Sequence, residues 1–402
     1  MPGGGGPIWI SDSALVLSNA FTGLIDPMTG APEQHGVLFT RNGSAVDIGT
    51  LDDGNESFGS AVNNVGSVVG VASNSIPDPF SFLSFFGYQT QTRAVLWQNG
   101  VLTDLGTLGG PDAVAANVNE RGQVAGFSYT DTTPTQTTGI PTVHPFLWEH
   151  GRMIDLGTLG GVFAVPGSVS GEGTVLLNNR GQVVGTSYLA GDQTWHPFLS
   201  EHGALKDLGT LGGSTGQATC INDAGEIVGE ADLPGDVVHD AFLWKNGLMR
   251  DLGNLGQSSF AFSVNLKSQV VGRSHLDDVT THAFLWELGG PMIDLNTLIP
   301  VRSTLELTDA FEINDRGEIA GMGVPPGCSS EDECGHAFIL IPCHSADAQS
   351  CENDSGHASP SIQNPALKVP ATSTQAHRSM AEWGARLAQR YQIPGFPPHK
   401  RR

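Results

Sequence analysis

Charge is scarce in this chain. Only 15% of its 402 residues are Asp, Glu, Lys or Arg, and Lys and Arg together number 19 against 41 acidic residues. So few cations argue against nucleic acid as a partner, because phosphate contacts need clustered Lys and Arg. No apolar run approaches the roughly 18 residues of a membrane-spanning helix. The opening MPGGGGPIWI has no basic stretch followed by a long apolar run, so no signal peptide is visible. Neither G-x-S-x-G nor HExxH occurs, which removes two common hydrolase signatures. There is no CxxC and no His pair at zinc spacing, so neither a metal nor a cofactor is expected. Acidic loop pairs such as Asp52-Asp53 and Asp277-Asp278 offer at most an adventitious Ca²⁺ site.

What is present points to strands and turns. Glycine is abundant, with 53 residues, and 39% of the chain is apolar. That apolar share is too high for a disordered chain. Charge is unevenly spread: residues 1–355 carry a net −28 and residues 356–402 a net +6. Five cysteines are present. Cys220 lies in a strand-like run and reads as a buried thiol. Cys328 with Cys334, and Cys343 with Cys351, bracket two short loops that read as disulfides, which implies an oxidising compartment.

The dominant feature is a repeat. Asp-Leu-Gly elements, fullest as DLGTLGG, begin at Asp47, Asp104, Asp155, Asp207, Asp251 and Asp294, spaced by 57, 51, 52, 44 and 43 residues. A period near 45 signals a repeat architecture. Each unit holds four pieces. A His-Pro-Phe-Leu-Trp-like run stands 11 or 12 residues before the Asp-Leu-Gly element, and a turn such as Asn99-Gly100 or Asn246-Gly247 lies between them. Asn-Gly between apolar runs is a hairpin signal, because both residues tolerate positive φ. A third piece ends in Asn (AANVN, ATCIN, AFEIN), and a fourth reads QVVG or EIVG. Turns such as NERG and NDAG join them into a second hairpin. Asn265-Leu266-Lys267-Ser268 lacks the turn Gly, so a different turn is expected there.

Four short strands per unit, apolar on both faces, predict an all-β fold, a β-propeller of four-stranded blades. Six units are complete. HAFIL (336–340) and the N-terminal IWISDSALVLSNA supply most of another. Seven blades are expected, with six as the alternative, the ring being closed by N- and C-terminal strands in one blade. Residues 1–343 form the propeller. Residues 344–402 form a Ser/Pro/Ala-rich tail, largely disordered, with a short basic amphipathic helix near 378–391.

The string HAFLW, DLGTLGG, IN and VVG, recurring in order over residues 8–342, resembles the HAF-repeat family. Its naming triplet stands at His282-Ala283-Phe284 and His336-Ala337-Phe338. The resemblance implies a bacterial, extracellular repeat protein and carries no activity with it.

His35, His144, His196, His282 and His336 share one repeat position. Copies of a residue in different blades lie too far apart to converge, so each His is expected to pair with the Asp of the following strand. The Asp-Leu-Gly loops lead into strands and not helices, so they read as inter-blade connections and not as phosphate loops. Function is sought where the symmetry breaks. The segment Val71–Thr92 is the longest loop of its kind, and Phe80, Phe82, Phe85, Phe86 and Tyr88 crowd it. These aromatics either plug the ring's mouth or form a platform for a protein or glycan. The sequence expectation is a monomeric, non-catalytic binding scaffold, extracellular or surface-associated. The alternative is a polysaccharide hydrolase or lyase with carboxylates near the axis.

Overall fold

The computed structural model describes residues 7–342 apart from 28–29, 31, 84–88, 169–174, 202, 300–302 and 329–333. The tail after residue 342, with Cys343, Cys351 and the expected helix, lies outside the described residues. Among the described residues no helix is long and apolar enough to cross a membrane.

The described residues are mostly β-strands joined by turns, and these strands fall into seven successive antiparallel groups. The second shows the plan: Ser57–Val62, Val68–Pro77, Thr90–Gln98 and Val101–Asp104 pair in that order. These are the Asn-ending, VVG, HAF-type and Asp-Leu-Gly pieces, in the expected sheet order. Groups three and four are linked by a single parallel pair, Val143 with Phe163. First strands are buried and pack on the first strands of neighbouring sheets, whereas fourth strands are mostly exposed. The first strand is therefore innermost. The core lies between sheets: Val184 and Leu199 of the fourth meet Ile221, Ile227 and Phe242 of the fifth. Such burial on both faces is what a propeller demands, and the all-β propeller class is as expected.

The turn chemistry follows the sequence closely. Asn99, His150 and Asn246 take φ of 51–53°, and the glycine after each is also positive. In five of the six Asp-Leu-Gly elements the Asp carboxylate accepts the amide of the Gly two residues on, as Asp155 does from Gly157 at 2.8 Å, and Asp294 accepts the Asn296 amide in the same way. The last glycine needs to be glycine for space, because a Cβ on Gly161 would lie 2.5 Å from Tyr188 Cβ. DLGTLGG is thus a connector between sheets.

Two expectations are corrected. The ring is not closed by N- and C-terminal strands in one sheet. Pro7–Ile10 and Val16–Ile25 pair with Pro32–Phe39 and Ala45–Asp47, so residues 7–47 complete their own sheet. Pairing through a short local connection costs less chain entropy than bringing the two ends of the ring together. Among the described residues the last sheet has three strands: Glu306–Ile313, Ile319–Val324 and His336–Leu340. The turn at Asn265 does not differ from its copies either. Ser268 adopts φ 59° in place of Gly, and its amide donates to the Asn265 carbonyl at 3.1 Å. Its hydroxyl also donates to Glu226 at 2.6 Å, which offsets the backbone strain. Ser268→Ala keeps the strain and loses that bond, so urea unfolding is expected to show a loss of about 1–2 kcal/mol.

The repeated Asn has a second task. Its side-chain amide donates to the backbone carbonyl of the same Asn in the next sheet: Asn63 to Asn119 (3.0 Å), Asn119 to Asn178 (2.9 Å), Asn178 to Asn222 (3.1 Å), Asn222 to Asn265 (2.9 Å) and Asn265 to Asn314 (2.9 Å). Asn314 donates instead to Glu318 of its own sheet, and Ser11 holds the Asn position of the first sheet. Among the described residues this ladder therefore runs from the second sheet to the seventh, and the two seams that flank the first sheet lack it.

Candidate functional site

The repeated histidines are paired and dispersed. His35 with Asp47, His144 with Asp155, His196 with Asp207 and His282 with Asp294 meet at 2.8–2.9 Å. Arg93 takes the histidine's place opposite Asp104 at 2.8 Å. Burial pulls Asp155 upward, but hydrogen bonds from His144 and the Gly157 amide outweigh it and hold the carboxyl low. Asp251 faces Asp240, which burial raises and to which Asn254 donates. His336 is exposed in the third strand of the sheet that has no fourth. The pairs tie third strands to fourth strands at the rim and bring no two copies together. Cys328 and Cys334 are disulfide-bonded, and Cys220 is buried.

Of the crowded aromatics, Phe82 is 2% exposed and Phe80 half-buried; Phe85, Phe86 and Tyr88 lie outside the described residues. Phe82 stacks on Tyr129 at 4.3 Å and meets Phe127 edge-on at 5.1 Å. The Tyr129 hydroxyl donates to the Phe80 carbonyl. Buried Asp112 anchors this stretch by accepting the amides of Phe82 and Thr92 at 2.8 and 2.9 Å. Burial and the neighbouring Asp78 push the Asp112 carboxyl well above its ordinary range. These groups cap an apolar core shared by sheets two to four: Phe58, Val71, Val114, Phe127, Phe163 and Tyr188.

The same repeat positions change character on the other side of the ring. The residue after the VVG-type glycine is Val71, Phe127 and Thr186 in sheets two to four, but Glu230, Arg273 and Met322 in sheets five to seven. Opposite it on the innermost strand stand Phe58, Val114 and Val165, then Gln217, Phe260 and Asp309. An apolar core thus gives way to a polar network crossing three sheets. Gln217 donates to Glu230 at 2.5 Å, and His239 Nε2 lies 3.6 Å from Glu230 Oε2. The His239 ring meets Phe260 edge-on at 4.5 Å. The Arg273 guanidinium lies 4.7 Å from the Phe260 ring centre and 5.3 Å from that of Phe262, and it reaches Asp309 at 3.5 Å. His275 abuts the far edge of Phe260 at 5.9 Å.

The electrostatics suit proton transfer and the binding of charged groups. Burial, aided by His275 and Arg273 against the pull of Asp232, holds His239 below the ordinary imidazole value. His275 is lowered by burial and by Arg273. Both rings are therefore neutral near pH 7 and able to accept a proton. The side chains of His239 and Arg273 keep 34% and 27% exposure, so the network reaches solvent. Val237 and Val279 project from the adjoining loop tips. Among the described residues no group of three or more His, Cys, Asp or Glu is arranged to hold a metal ion. None of Gln217, Glu230, His239, Phe260, Arg273 or Asp309 is singled out by the motif reading. The signal was one column of the repeat alignment, the residue after the glycine, where charge replaces apolar side chains.

No family model matches the chain, and no curated protein matches it. Solved structures do. A puromycin hydrolase mutant complexed with PGG aligns with a TM-score of 0.50 at 13% identity, over 84% of this chain and 52% of its own. A puromycin-hydrolyzing peptidase of Mycobacterium tuberculosis aligns at 0.49 and 9%, over 84% and 52%. TolB from Acinetobacter baumannii aligns at 0.39 and 10%, over 81% and 77%. The chain spans about half the length of the first two. The class is thereby that of the β-propellers, and at these identities the likeness extends to the fold alone. The expected non-catalytic scaffold is not supported: the solved chain that aligns at a TM-score of 0.50 is a puromycin hydrolase.

Proposed function

We propose that this chain reads a peptide-like substrate for hydrolysis, on the face above sheets five to seven. One observation carries the reading: charged groups of both signs, Arg273 over the Phe260 ring and Glu230 beside the His239 that meets that ring, stand where the opposite side of the propeller packs an apolar core. Glu230 suits an ammonium group, Arg273 a carboxylate, and Phe260 the apolar part between them. Neutral His239, with Glu230 3.6 Å from its Nε2, is the group suited to take a proton from an attacking water. The names of the similar solved chains agree with a peptide substrate, and this chain then corresponds to half of such a protein. The Cys328–Cys334 bridge supports an oxidising location, in keeping with an extracellular HAF-repeat protein.

The test is calorimetric titration of the purified chain with tripeptides, free and capped at either end, with product amines assayed in parallel. Free peptides are expected to bind, and Arg273→Gln and Glu230→Gln each to weaken binding about tenfold, the worth of one charged hydrogen bond. His239→Ala is expected to slow release of product amine and leave binding within about twofold. Equal binding of free and doubly capped peptides, or no response to the Arg273 and Glu230 variants, rejects the assignment.

A further inference from the structure

Among the described residues the seventh sheet stops one strand short. In each of the other six groups the third strand is covered by a short fourth one, but among the described residues nothing pairs the outer edge of His336–Leu340. Ile339 and Ile341 on that stretch are 69% and 70% exposed. An open apolar edge is a template for another strand, and natural propellers and sandwiches rarely leave one bare.

The local sequence explains why the fourth strand does not follow directly. In the second, third and fifth sheets the turn after the third strand begins at a residue with φ of 51–53°, Asn99, His150 or Asn246. Pro342 holds that position here. Proline is locked near −65° and cannot enter the turn. Pro342 thus bars that tight turn, and a strand to cover this edge is sought further along the chain.

We propose that Ala366–Val369 of this chain supplies it. Ala366-Leu367-Lys368 repeats, residue for residue, Ala204-Leu205-Lys206, the fourth strand of the fourth sheet. There Ala204, Leu205, Lys206 and Asp207 pair with Glu201, Ser200, Leu199 and Phe198. The same register sets Ala366 opposite Ile341, Leu367 opposite Leu340, Lys368 opposite Ile339 and Val369 opposite Phe338. Pro370 has no N–H and ends the strand. The 23 residues from Cys343 to Pro365 are ample for the return, and the closure entropy of such a loop grows only slowly with its length. A tethered strand also outcompetes a free one, because the tether sets a high effective concentration.

Amide hydrogen exchange on the full-length chain tests this. The outward-facing amide of Ile339 is expected to exchange at least tenfold more slowly in the parent and in Lys368→Ala than in Lys368→Pro, which removes the N–H facing the Ile339 carbonyl. Unchanged exchange at Phe242, in the fifth sheet, shows that each variant is folded. Equal exchange of Ile339 in parent and Lys368→Pro overturns the proposal. So does protection of Ile339 that rises with protein concentration, which assigns the edge to a second copy.

Discussion

Asn178→Ala is expected to destabilise the ring by about 3–5 kcal/mol, the sum of several buried hydrogen-bond groups left unpaired. Asn178 is 2% exposed. Its Nδ2 donates to Gln182 Oε1 at 2.7 Å and to the Asn222 carbonyl at 3.1 Å, while its Oδ1 accepts the amides of Arg180 and Gln182 at 3.0 Å. Alanine leaves two donors and two acceptors without partners, in a place where water cannot easily replace them. Asn178→Asp keeps the shape but turns the donor into an acceptor facing two other acceptors, so it is expected to be at least as damaging at pH 7. Asn314→Ala, at the seam, removes no bond to a following sheet and is expected to cost only about 1–2 kcal/mol. Urea unfolding of the three variants checks the order. Equal losses at Asn178 and Asn314 would mean that the inter-sheet bond adds nothing beyond the turn itself.

Stability is expected to fall as pH rises from 5 to 8, and Glu56→Gln to remove much of that fall. Glu56 is 2% exposed, accepts the Ser73 hydroxyl, and lies near Asp26 and Glu33, which are 2% and 8% exposed. Burial first, then the two acidic neighbours, raise its carboxyl from 4.5 to about 7 against the opposing bond from Ser73. Glu312, hydrogen-bonded to Ser263, is likewise raised to about 7 by burial, with Asp12 adding to it. Because the folded value is the higher one, the folded state binds the extra proton. The resulting stability is complete below about 4.5 and is lost as pH climbs to about 7. Groups shifted the other way, Asp155 and Glu226 among the carboxyls and His239 among the imidazoles, add stability towards higher pH, so the single variant isolates Glu56. Glutamine mimics the protonated acid: its oxygen can accept from Ser73 and its amide can donate to Asp26. At pH 8 Glu56→Gln is expected to be more stable than the parent by about 1–3 kcal/mol, the cost of keeping the buried carboxylate ionised. Near pH 4.5 the two should match. A variant less stable than its parent at both pH values would show that Glu56 is ionised and needed as a charge.

Much of the fold was legible because its signals are short-range. The Asn-Gly turns, the glycine of each Asp-Leu-Gly loop and the His–Asp pairs join residues at most 12 positions apart. A repeated residue facing a repeated residue across a hairpin can be read off the spacing. The role of the repeated Asn was only half visible. Its turn is local, but its bond to the next sheet spans 43 to 59 residues and exists only once the sheets are stacked. Ser268 was misread for a related reason: its strained φ is tolerated because Glu226, 42 residues earlier, comes within reach of its hydroxyl.

The site was harder still. The crowded Phe80–Tyr88 run drew the eye by composition, yet Phe82 belongs to a core. Glu230, His239, Phe260, Arg273 and Asp309 lie up to 79 residues apart and carry no motif. By itself the sequence determined the repeat, the four-strand plan, the strand order and the turn chemistry, because each depends on backbone conformations that Gly, Asn and Asp select locally. Only the tertiary structure decided how the ends of the ring pair, which sheets share an apolar core, and which charged side chains meet. Those contacts lie between sheets, and chain entropy and side-chain packing across the ring select them.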